Sequence, residues 1–188
     1  MNNVALWWKF EGRYYHKDFI NGVKNLIRWF PVIWKDRDWD HSKIYDILKF
    51  KLKNQAEYIG ERDFHTRAKR DAEVMMTCVR LIDKVRDEYY DVEYMDYHET
   101  EHNWLDADEP GYKQLDIVEL SENFDAYFKK YPSTMRKVLA NPELFDYIDD
   151  DYKDKKSTLA MLIAHANQKK AQTLLFKIIN DNIRGWWD

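Results

Sequence analysis

The stretch that decides the fold is residues 63–90, which read DFHTRAKRDAEVMMTCVRLIDKVRDEYY. Its apolar residues recur every three or four positions, which is the spacing of one helix face: Ala68, Ala72, Met75, Val79, Ile82 and Val85. Asp63 precedes this stripe and is a good N-cap residue, so the pattern predicts a long helix from Asp63 to Tyr90. Such a stripe needs apolar partners on other helices.

Two further segments have apolar stripes of the same kind. The first, 41–59, follows the N-cap residue Asp40 and precedes Gly60, which is typical of a helix end. The second covers 157–183. The other predicted elements are shorter helices at 17–28, 116–130, 133–140 and 142–149 and a loop at 103–112.

The composition favours helices. The chain has 188 residues, of which 45% are hydrophobic and 34% charged, with only 5 Gly and 4 Pro. Few helix-breaking residues favour long helices over strands and tight turns. No internal repeat or linker is evident, so the sequence predicts a single all-α domain over residues 1–188. We expect a helical bundle with long helices near 41–59, 63–90 and 157–183.

Charge is unevenly distributed along the chain. Residues 1–90 carry 18 Lys/Arg against 14 Asp/Glu, a net +4, whereas residues 91–188 carry 12 against 20, a net −8. In 91–125, 12 acidic residues face Lys113 alone. Proteins that bind duplex nucleic acid usually present a basic face, so we expect no double-stranded nucleic acid partner. A small anion could bind the basic half, or the two charges could be complementary between halves or subunits.

Cysteine content and hydropathy indicate the compartment. Cys78 is the only cysteine and lies within the apolar stripe of 63–90, so no disulfide forms within the chain and a buried, inert thiol is expected. There is no signal peptide and no apolar run long enough to cross a membrane. We therefore expect a cytoplasmic protein without a membrane partner.

One candidate ligand site is the aromatic corner at residues 29–41, where Pro31 is expected to end or kink the preceding helix. Trp34 and Trp39 offer flat faces for stacking, and Arg37 between them could contact a phosphate. The alternative is a structural corner in which neighbouring aspartates hold Arg37.

A second candidate site lies at the predicted start of the helix at 63–90. Arg62, His65 and Lys69 are spaced three and four residues apart and so share a helix face. Cations at a helix N-terminus oppose the helix dipole, so their clustering suggests a bound anion. The alternative is that they pair with nearby carboxylates such as Asp71.

Residues 98–102 read HETEH and match the pattern H-E-x-x-H, in which two histidines one helical turn apart bind zinc. We expect a chance match, because the surrounding residues are polar and acidic residues are abundant here. The sequence also contains no Gly-rich phosphate loop and no nucleophile elbow. No catalytic residue, resident metal or cofactor is therefore assigned.

Pairs of tryptophans stand near both ends of the sequence, at Trp7-Trp8 and Trp186-Trp187. Tryptophan pairs are costly to expose to water, so they either pack on the core or form a subunit contact. A homo-oligomer is thus an alternative to core packing.

Three stretches resemble a family of small, mostly uncharacterised helical proteins encoded by bacteriophages: WKDRDWD at 34–40, LKFKLKNQAEYI at 48–59 and LLFKIINDNIRGWWD at 174–188. The resemblance implies a phage origin and expression in the cytoplasm of a bacterial host. Small phage proteins of this size often act against host defences, some by sequestering nucleotide immune signals.

We therefore expect a non-catalytic protein that binds and sequesters a small anionic, nucleotide-like ligand of the host. The residues expected to bind this ligand are Trp34, Arg37, Trp39, Arg62, His65 and Lys69. Two alternatives stay open: a metal-dependent hydrolase that uses residues 98–102, and a protein-interaction factor that acts on a host protein.

Overall fold

A computed structural model describes residues 6–8, 12–63, 65–109, 111–153 and 155–186. The protein is mostly helical, with one two-stranded antiparallel sheet among the described residues. The elements in chain order are α1 (Arg13–Ile33), α2 (Ser42–Arg62), α3 (Ala68–Arg86), α4 (Tyr89–Val92), β1 (His98–Asp106), β2 (Lys113–Glu122), α5 (Phe124–Lys130), α6 (Pro132–Leu139), α7 (Asp150–Lys153) and α8 (Lys156–Asn182). Short 3-10 helices lie at Glu93–Tyr97, Pro142–Phe145 and Ile183–Trp186.

The first hydrophobic core lies between α2, α3 and α8. Its buried members include Leu52, Ala56, Ile59, Met75, Cys78, Val79, Ile82, Ala171, Leu175 and Trp186. The three long helices expected from the sequence therefore pack against one another. Burial raises the pKa of the Cys78 thiol to about 11, which agrees with an inert thiol.

The second hydrophobic core lies between α5, α6 and the first half of α8. Its buried members are Phe124, Tyr127, Val138, Ala160 and Ile163. Buried residues recur along α8 at three- and four-residue spacing, at Ala160, Ile163, Ala164, Asn167, Ala171 and Leu175. The two cores therefore share α8, which holds the two parts of the fold together.

The junction between α2 and α3 differs from the prediction. Gly60 was expected to end α2 but lies inside it. A glycine suits this position because α2 and α3 approach closely here, and a Cβ at Gly60 would be 3.3 Å from the Ala72 Cβ. Asp63 follows α2 in the left-handed conformation, with φ 48°, and does not cap α3. The predicted helix at 63–90 is shorter, because Glu88 also has a positive φ, of 50°, and separates α3 from α4.

Pro31 does not end α1. The helix runs beyond the predicted 17–28, and Pro31 lies in its last turn, where the missing N–H removes a single intrahelical hydrogen bond. The Trp34 N–H still donates to the Phe30 carbonyl at 2.8 Å. Asp40 acts close to its expected capping role, since its carboxylate accepts a hydrogen bond from the Ser42 N–H at 2.9 Å.

The main departure from the all-α prediction is the hairpin formed by β1 and β2. β1 takes up the first four residues of the loop expected at 103–112, and β2 takes up the first half of the helix expected at 116–130. Apolar Leu115 and Ile117 alternate with polar neighbours, which is the period of a strand, and β-branched side chains favour it. Gly111, with φ 93°, lies in the connecting turn, a conformation that favours glycine.

The remaining expectations have mixed outcomes. The helix expected at 133–140 is present as α6, whereas the helix expected at 142–149 is only a 3-10 helix. Trp186 packs in the first core, Trp7 and Trp8 are exposed, and Trp187 lies outside the described residues.

Within the described part of the chain, no helix is both long and apolar enough to cross a bilayer.

We predict that Leu175→Ala destabilises the protein by about 2–5 kcal/mol, because Leu175 is fully buried and its truncation leaves a cavity in the first core. The matched control is Leu139→Ala at the exposed end of α6, which should change stability by less than about 0.5 kcal/mol. Urea denaturation of both variants checks this. Equal effects would contradict the assignment of the core.

Candidate anion-binding pocket

A polar cavity of about 240 Å³ lies where α6 meets α8, and we call it the α6–α8 pocket. It is lined by Leu81, Tyr90, Lys130, Tyr131, Ser133, Thr134, Asn167, Lys170, Ala171 and Leu174. Ala171 belongs to the first core and Tyr131 packs against the second, so the pocket lies where the two cores adjoin along α8.

Pro132 shapes one side of this pocket. A residue before proline is disfavoured in the helical conformation, and Tyr131 has φ −123° and ψ 51°, so α5 ends and α6 begins at Pro132. Ser133 and Thr134 therefore occupy the first turn of α6. Backbone N–H groups in a first turn have no intrahelical carbonyl partner and favour negative charge nearby.

A buried polar pair lines the pocket between α6 and α8. The Thr134 hydroxyl donates to Asn167 Oδ1 at 2.8 Å, and each residue is only 7% exposed. The amide nitrogen, Asn167 Nδ2, is buried and makes no hydrogen bond of ordinary geometry among the described residues, although the Asn167 side chain lies close enough to the Tyr127 hydroxyl to lower the pKa of that phenol. An unpaired buried donor costs about 1–3 kcal/mol. A ligand acceptor that reaches Asn167 Nδ2 would recover this loss.

Two lysines of the pocket have different surroundings. Lys130 pairs with the buried Glu93, which also accepts hydrogen bonds from the Tyr131 hydroxyl at 2.5 Å and the Tyr89 hydroxyl at 3.0 Å. Lys170 is exposed and takes part in none of the ion pairs found in the described part of the chain. The charge of Lys130 is therefore compensated within the protein, whereas that of Lys170 is available to an anion.

The hydrogen bonds to Glu93 control its ionisation. Burial alone would raise the pKa of Glu93, but the hydrogen bonds from Lys130, Tyr131 and Tyr89 outweigh burial and hold the pKa below its usual value. Burial and the Glu93 charge together raise the pKa of Tyr131. Burial also raises the pKa of Tyr127, to about 12. Glu93 is thus a carboxylate and both phenols are neutral at pH 7, with the Tyr131 hydroxyl donating to Glu93.

The rest of the pocket is apolar. Leu81 of α3 and Leu174 of α8 also line the pocket, together with the half-buried ring of Tyr90. A purely polar ligand would make no use of these apolar side chains. The arrangement suits a small anion that carries an apolar or planar group, because ligand pockets combine an apolar lining with a few placed polar groups.

The aromatic corner is open to solvent. Trp34 and Trp39 are 70% and 83% exposed, and the Trp34 ring contacts Phe30 at a centroid distance of 5.0 Å. Arg37 donates to the backbone carbonyl of Asp36 at 2.8 Å and forms no carboxylate ion pair among the described residues. Neither an enclosed ligand site nor the alternative of an aspartate-held arginine is formed at this corner.

The cations predicted at the start of α3 have local partners. Arg62 lies over the Tyr58 ring, with its guanidinium carbon 4.4 Å from the ring centroid. His65 Nδ1 lies 4.0 Å from Asp71, and Lys69 lies 3.7 Å from Asp63. This arrangement corresponds to the alternative of pairing with nearby carboxylates.

The structure does not bring the two predicted clusters together within one chain. Trp34, Arg37 and Trp39 precede α2, whereas Arg62 ends it. A helix rises 1.5 Å per residue, so the 21 residues of α2 separate the clusters by roughly 30 Å. A shared site would need a second chain.

The HETEH segment lies in β1 and not in a helix. A strand rises about 3.3 Å per residue, so His98 and His102 are roughly 13 Å apart, too far to share one zinc ion. The His98 ring lies instead near Tyr94, at 6.0 Å, and Phe124, at 5.3 Å. No group of three or more His, Cys, Asp or Glu among the described residues is placed to hold a metal.

Sequence reasoning missed the residues of the α6–α8 pocket, although a signal was present. Asn167 interrupts an otherwise apolar stripe of the last long helix, between Ile163 and Ala171. Pro132 followed by Ser133 is typical of a helix start. The pairing of these two segments depends on tertiary contacts, which the local patterns do not contain.

Comparison of the chain with protein-family models, with curated proteins and with solved structures found no match. The resemblance to phage proteins therefore stays a prediction.

We predict that Glu93→Gln lowers the free energy of unfolding at pH 7 by about 2–3 kcal/mol, because hydrogen bonds to a charged acceptor are lost. The folded-state pKa of Glu93 is lowered, so its contribution is present above the unfolded-state value near 4.5 and is lost as pH falls through the folded-state value. The difference between variant and wild type should therefore shrink below about pH 4.5.

Urea denaturation between pH 3 and 7 measures this difference. The control is Glu57→Gln on the exposed face of α2, which should stay within about 0.5 kcal/mol of wild type at every pH. A Glu93→Gln effect that did not depend on pH would contradict an ionic role for Glu93.

Proposed function

We propose that the protein binds and sequesters a small anionic, nucleotide-like ligand without transforming it, and that the ligand occupies the α6–α8 pocket. This keeps the function expected from the sequence and moves its site away from Trp34, Arg37, Trp39, Arg62, His65 and Lys69. The supporting groups are all side chains and first-turn amides that line one cavity.

The observation that carries the proposal is the buried and unpartnered amide nitrogen of Asn167 beside a free lysine. Native proteins pair nearly all buried polar groups, so an orphaned donor at a cavity wall needs a reason. Lys170 and the first turn of α6 favour an acceptor with negative charge. An anionic oxygen beside Lys170 and the first turn of α6 would be attracted by both, and a small shift of the Asn167 side chain would let its amide donate to the same oxygen.

The other residues that line the pocket indicate which groups the ligand carries besides its anionic group. Tyr90 can contact a planar ring, and Leu81 and Leu174 can cover apolar atoms. The cavity of about 240 Å³ is slightly below the usual range for drug-sized ligands. A mononucleotide or similar phosphorylated compound suits this space, whereas a polyanion does not.

Sequestration requires tight binding and high copy number but no chemistry on the ligand. This role agrees with a pocket whose only buried carboxylate, among its described neighbours, is Glu93, already engaged by three donors. The resemblance to phage proteins makes the cytoplasm of a bacterial host the proposed place of action and a nucleotide signal of host defence the proposed ligand.

A thermal-shift screen tests binding. The screen contains inorganic phosphate, mononucleotides and cyclic dinucleotides, with divalent metals as a separate arm. A ligand at 100 times its dissociation constant stabilises the folded state by about 2.7 kcal/mol. For a chain of this size that is a rise in Tm of roughly 5–10 °C.

We predict that Lys170→Ala weakens binding of the ligand found in this screen at least tenfold, because a charge-assisted hydrogen bond contributes about 1.5–3 kcal/mol. Asn167→Leu should have a similar effect, since it removes the free donor at nearly constant volume. The matched control is Lys169→Ala, one residue away on α8 and outside the pocket, which should bind like wild type. Isothermal titration calorimetry measures all three.

A second pair of variants separates the two proposed locations. Arg62→Glu with Lys69→Glu should leave affinity unchanged if the α6–α8 pocket is the site. A loss of binding in this double variant, with Lys170→Ala unaffected, would return the site to the start of α3. If no compound of the screen binds at micromolar concentration, a protein-interaction factor becomes the better hypothesis.

A further inference from the structure

One face of α1 is apolar and uncovered. Its exposed residues Phe19, Val23, Leu26, Ile27 and Phe30 follow helical spacing and form a single stripe. Leu26 and Ile27 are 70% and 69% exposed. The described chain contacts α1 through α2, where the Trp29 ring packs against Phe50 at 4.8 Å, on another side of the helix. An apolar surface of this length is typical of an interface.

The hairpin has a second uncovered apolar surface, which we call the Trp104 face. The strand register places Trp104 opposite Leu115 and His102 opposite Ile117, and alternation puts all four side chains on one side of the ribbon. Trp104 and Ile117 are 64% and 56% exposed. A two-stranded hairpin is marginally stable alone, so this face needs a cover.

The two segments that carry these surfaces are opposite in net charge and similar in length. α1 carries four Lys/Arg against one Asp, a net +3, whereas residues 98–122 as a whole carry eight Asp/Glu against Lys113, a net −7, and of these acids Asp106 and Glu119 lie on the same side of the ribbon as Trp104. Lys24 lies directly beside the apolar stripe, one turn from Ile20 and Ile27. The 21 residues of α1 span about 31 Å and the nine residues of β1 about 30 Å.

We infer that two copies of the chain associate reciprocally, with α1 of each copy packed on the Trp104 face of the other. Each copy then covers both of its apolar surfaces, and at both contacts a segment of net positive charge meets a segment of net negative charge. The exchange is symmetric and closes as a dimer, so it leaves no free surface for a growing chain of copies.

Other occupants fit these surfaces less well. Pairing of α1 with α1 would place two segments of net +3 side by side, and pairing of hairpins would do the same with two segments of net −7. A lipid surface could accept the basic amphipathic α1 but would leave the acidic Trp104 face uncovered. Each footprint is roughly 30 by 10 Å, so two reciprocal contacts bury about 1200 Å² in total, enough for a specific dimer.

Light scattering coupled to size exclusion tests the proposal at 5–100 μM protein. The expected mass of the wild type is about 46 kDa, twice the 23.0 kDa of one chain. Leu26→Gln with Ile27→Gln, the α1 variant, and Trp104→Gln with Ile117→Gln, the hairpin variant, should each raise the dissociation constant at least tenfold. Circular dichroism confirms that both variants keep the helical signal.

A control variant removes two exposed apolar side chains elsewhere. Leu139→Gln with Tyr147→Gln, which alters the end of α6 and a loop outside both surfaces, should dimerise like wild type. Equal weakening by this control would mean a nonspecific contact and would overturn the proposal.

Mixing the two variants gives the decisive result. In the mixture, the intact α1 of the hairpin variant meets the intact Trp104 face of the α1 variant, so one of the two contacts is restored. The variants should therefore bind each other more tightly than either binds itself. If the mixture stays monomeric, like surfaces pair with like and the proposed exchange is wrong.

Salt dependence and lipid binding complete the test. The dimer should weaken between 0.05 and 0.5 M NaCl, because salt screens the attraction between opposite charges. A dimer that strengthens with salt would overturn the proposal. A wild type that is monomeric at 100 μM also overturns it, and flotation of that monomer with anionic phospholipid vesicles would assign α1 to a lipid surface.

Discussion

The structure depends on the row of buried residues along α8. This row packs into the second core at Ala160 and Ile163 and into the first core at Ala171 and Leu175. Neither core is enclosed without α8, because the helices on either side contact each other little. The fold is therefore two small cores held in register by one helix, and a shift of α8 by one turn would expose both.

Asn167 stands at the centre of this row and fixes the register. A polar residue in an apolar seam restricts the packing to arrangements in which its amide finds a partner. Here the partner is Thr134, which α6 presents only because Pro132 starts the helix two residues earlier. One hydrogen bond thus aligns α6 with α8, and it leaves the second polar atom of the amide without a partner. The proposed ligand site is a consequence of how the cores are joined.

The sequence predicted those parts of the fold that depend on local patterns, and it missed those that depend on contacts between distant segments. The stripes of α2, α3 and α8 are local and periodic, so these helices were found within a few residues of their ends.

Gly60 was misplaced because its role is the close approach to Ala72, a contact between helices that sequence spacing does not reveal. The hairpin was missed because charged residues mask its alternation, and Gly111 was interpreted as part of a loop instead of a connection between two strands. Candidate site residues were chosen for charge and aromaticity, whereas the pocket depends on burial.

The charge distribution constrains what the pocket can bind. The α6–α8 pocket lies next to Glu93, at the edge of the acidic segment 91–125, so the long-range field around it disfavours anions. Attraction has to come from groups in direct contact, namely Lys170, Asn167 Nδ2 and the first turn of α6. Short-range donors discriminate by geometry, unlike a basic surface that collects polyanions. We therefore expect the same acidic segment to repel nucleic acid, and we propose a ligand small enough to lie within the pocket.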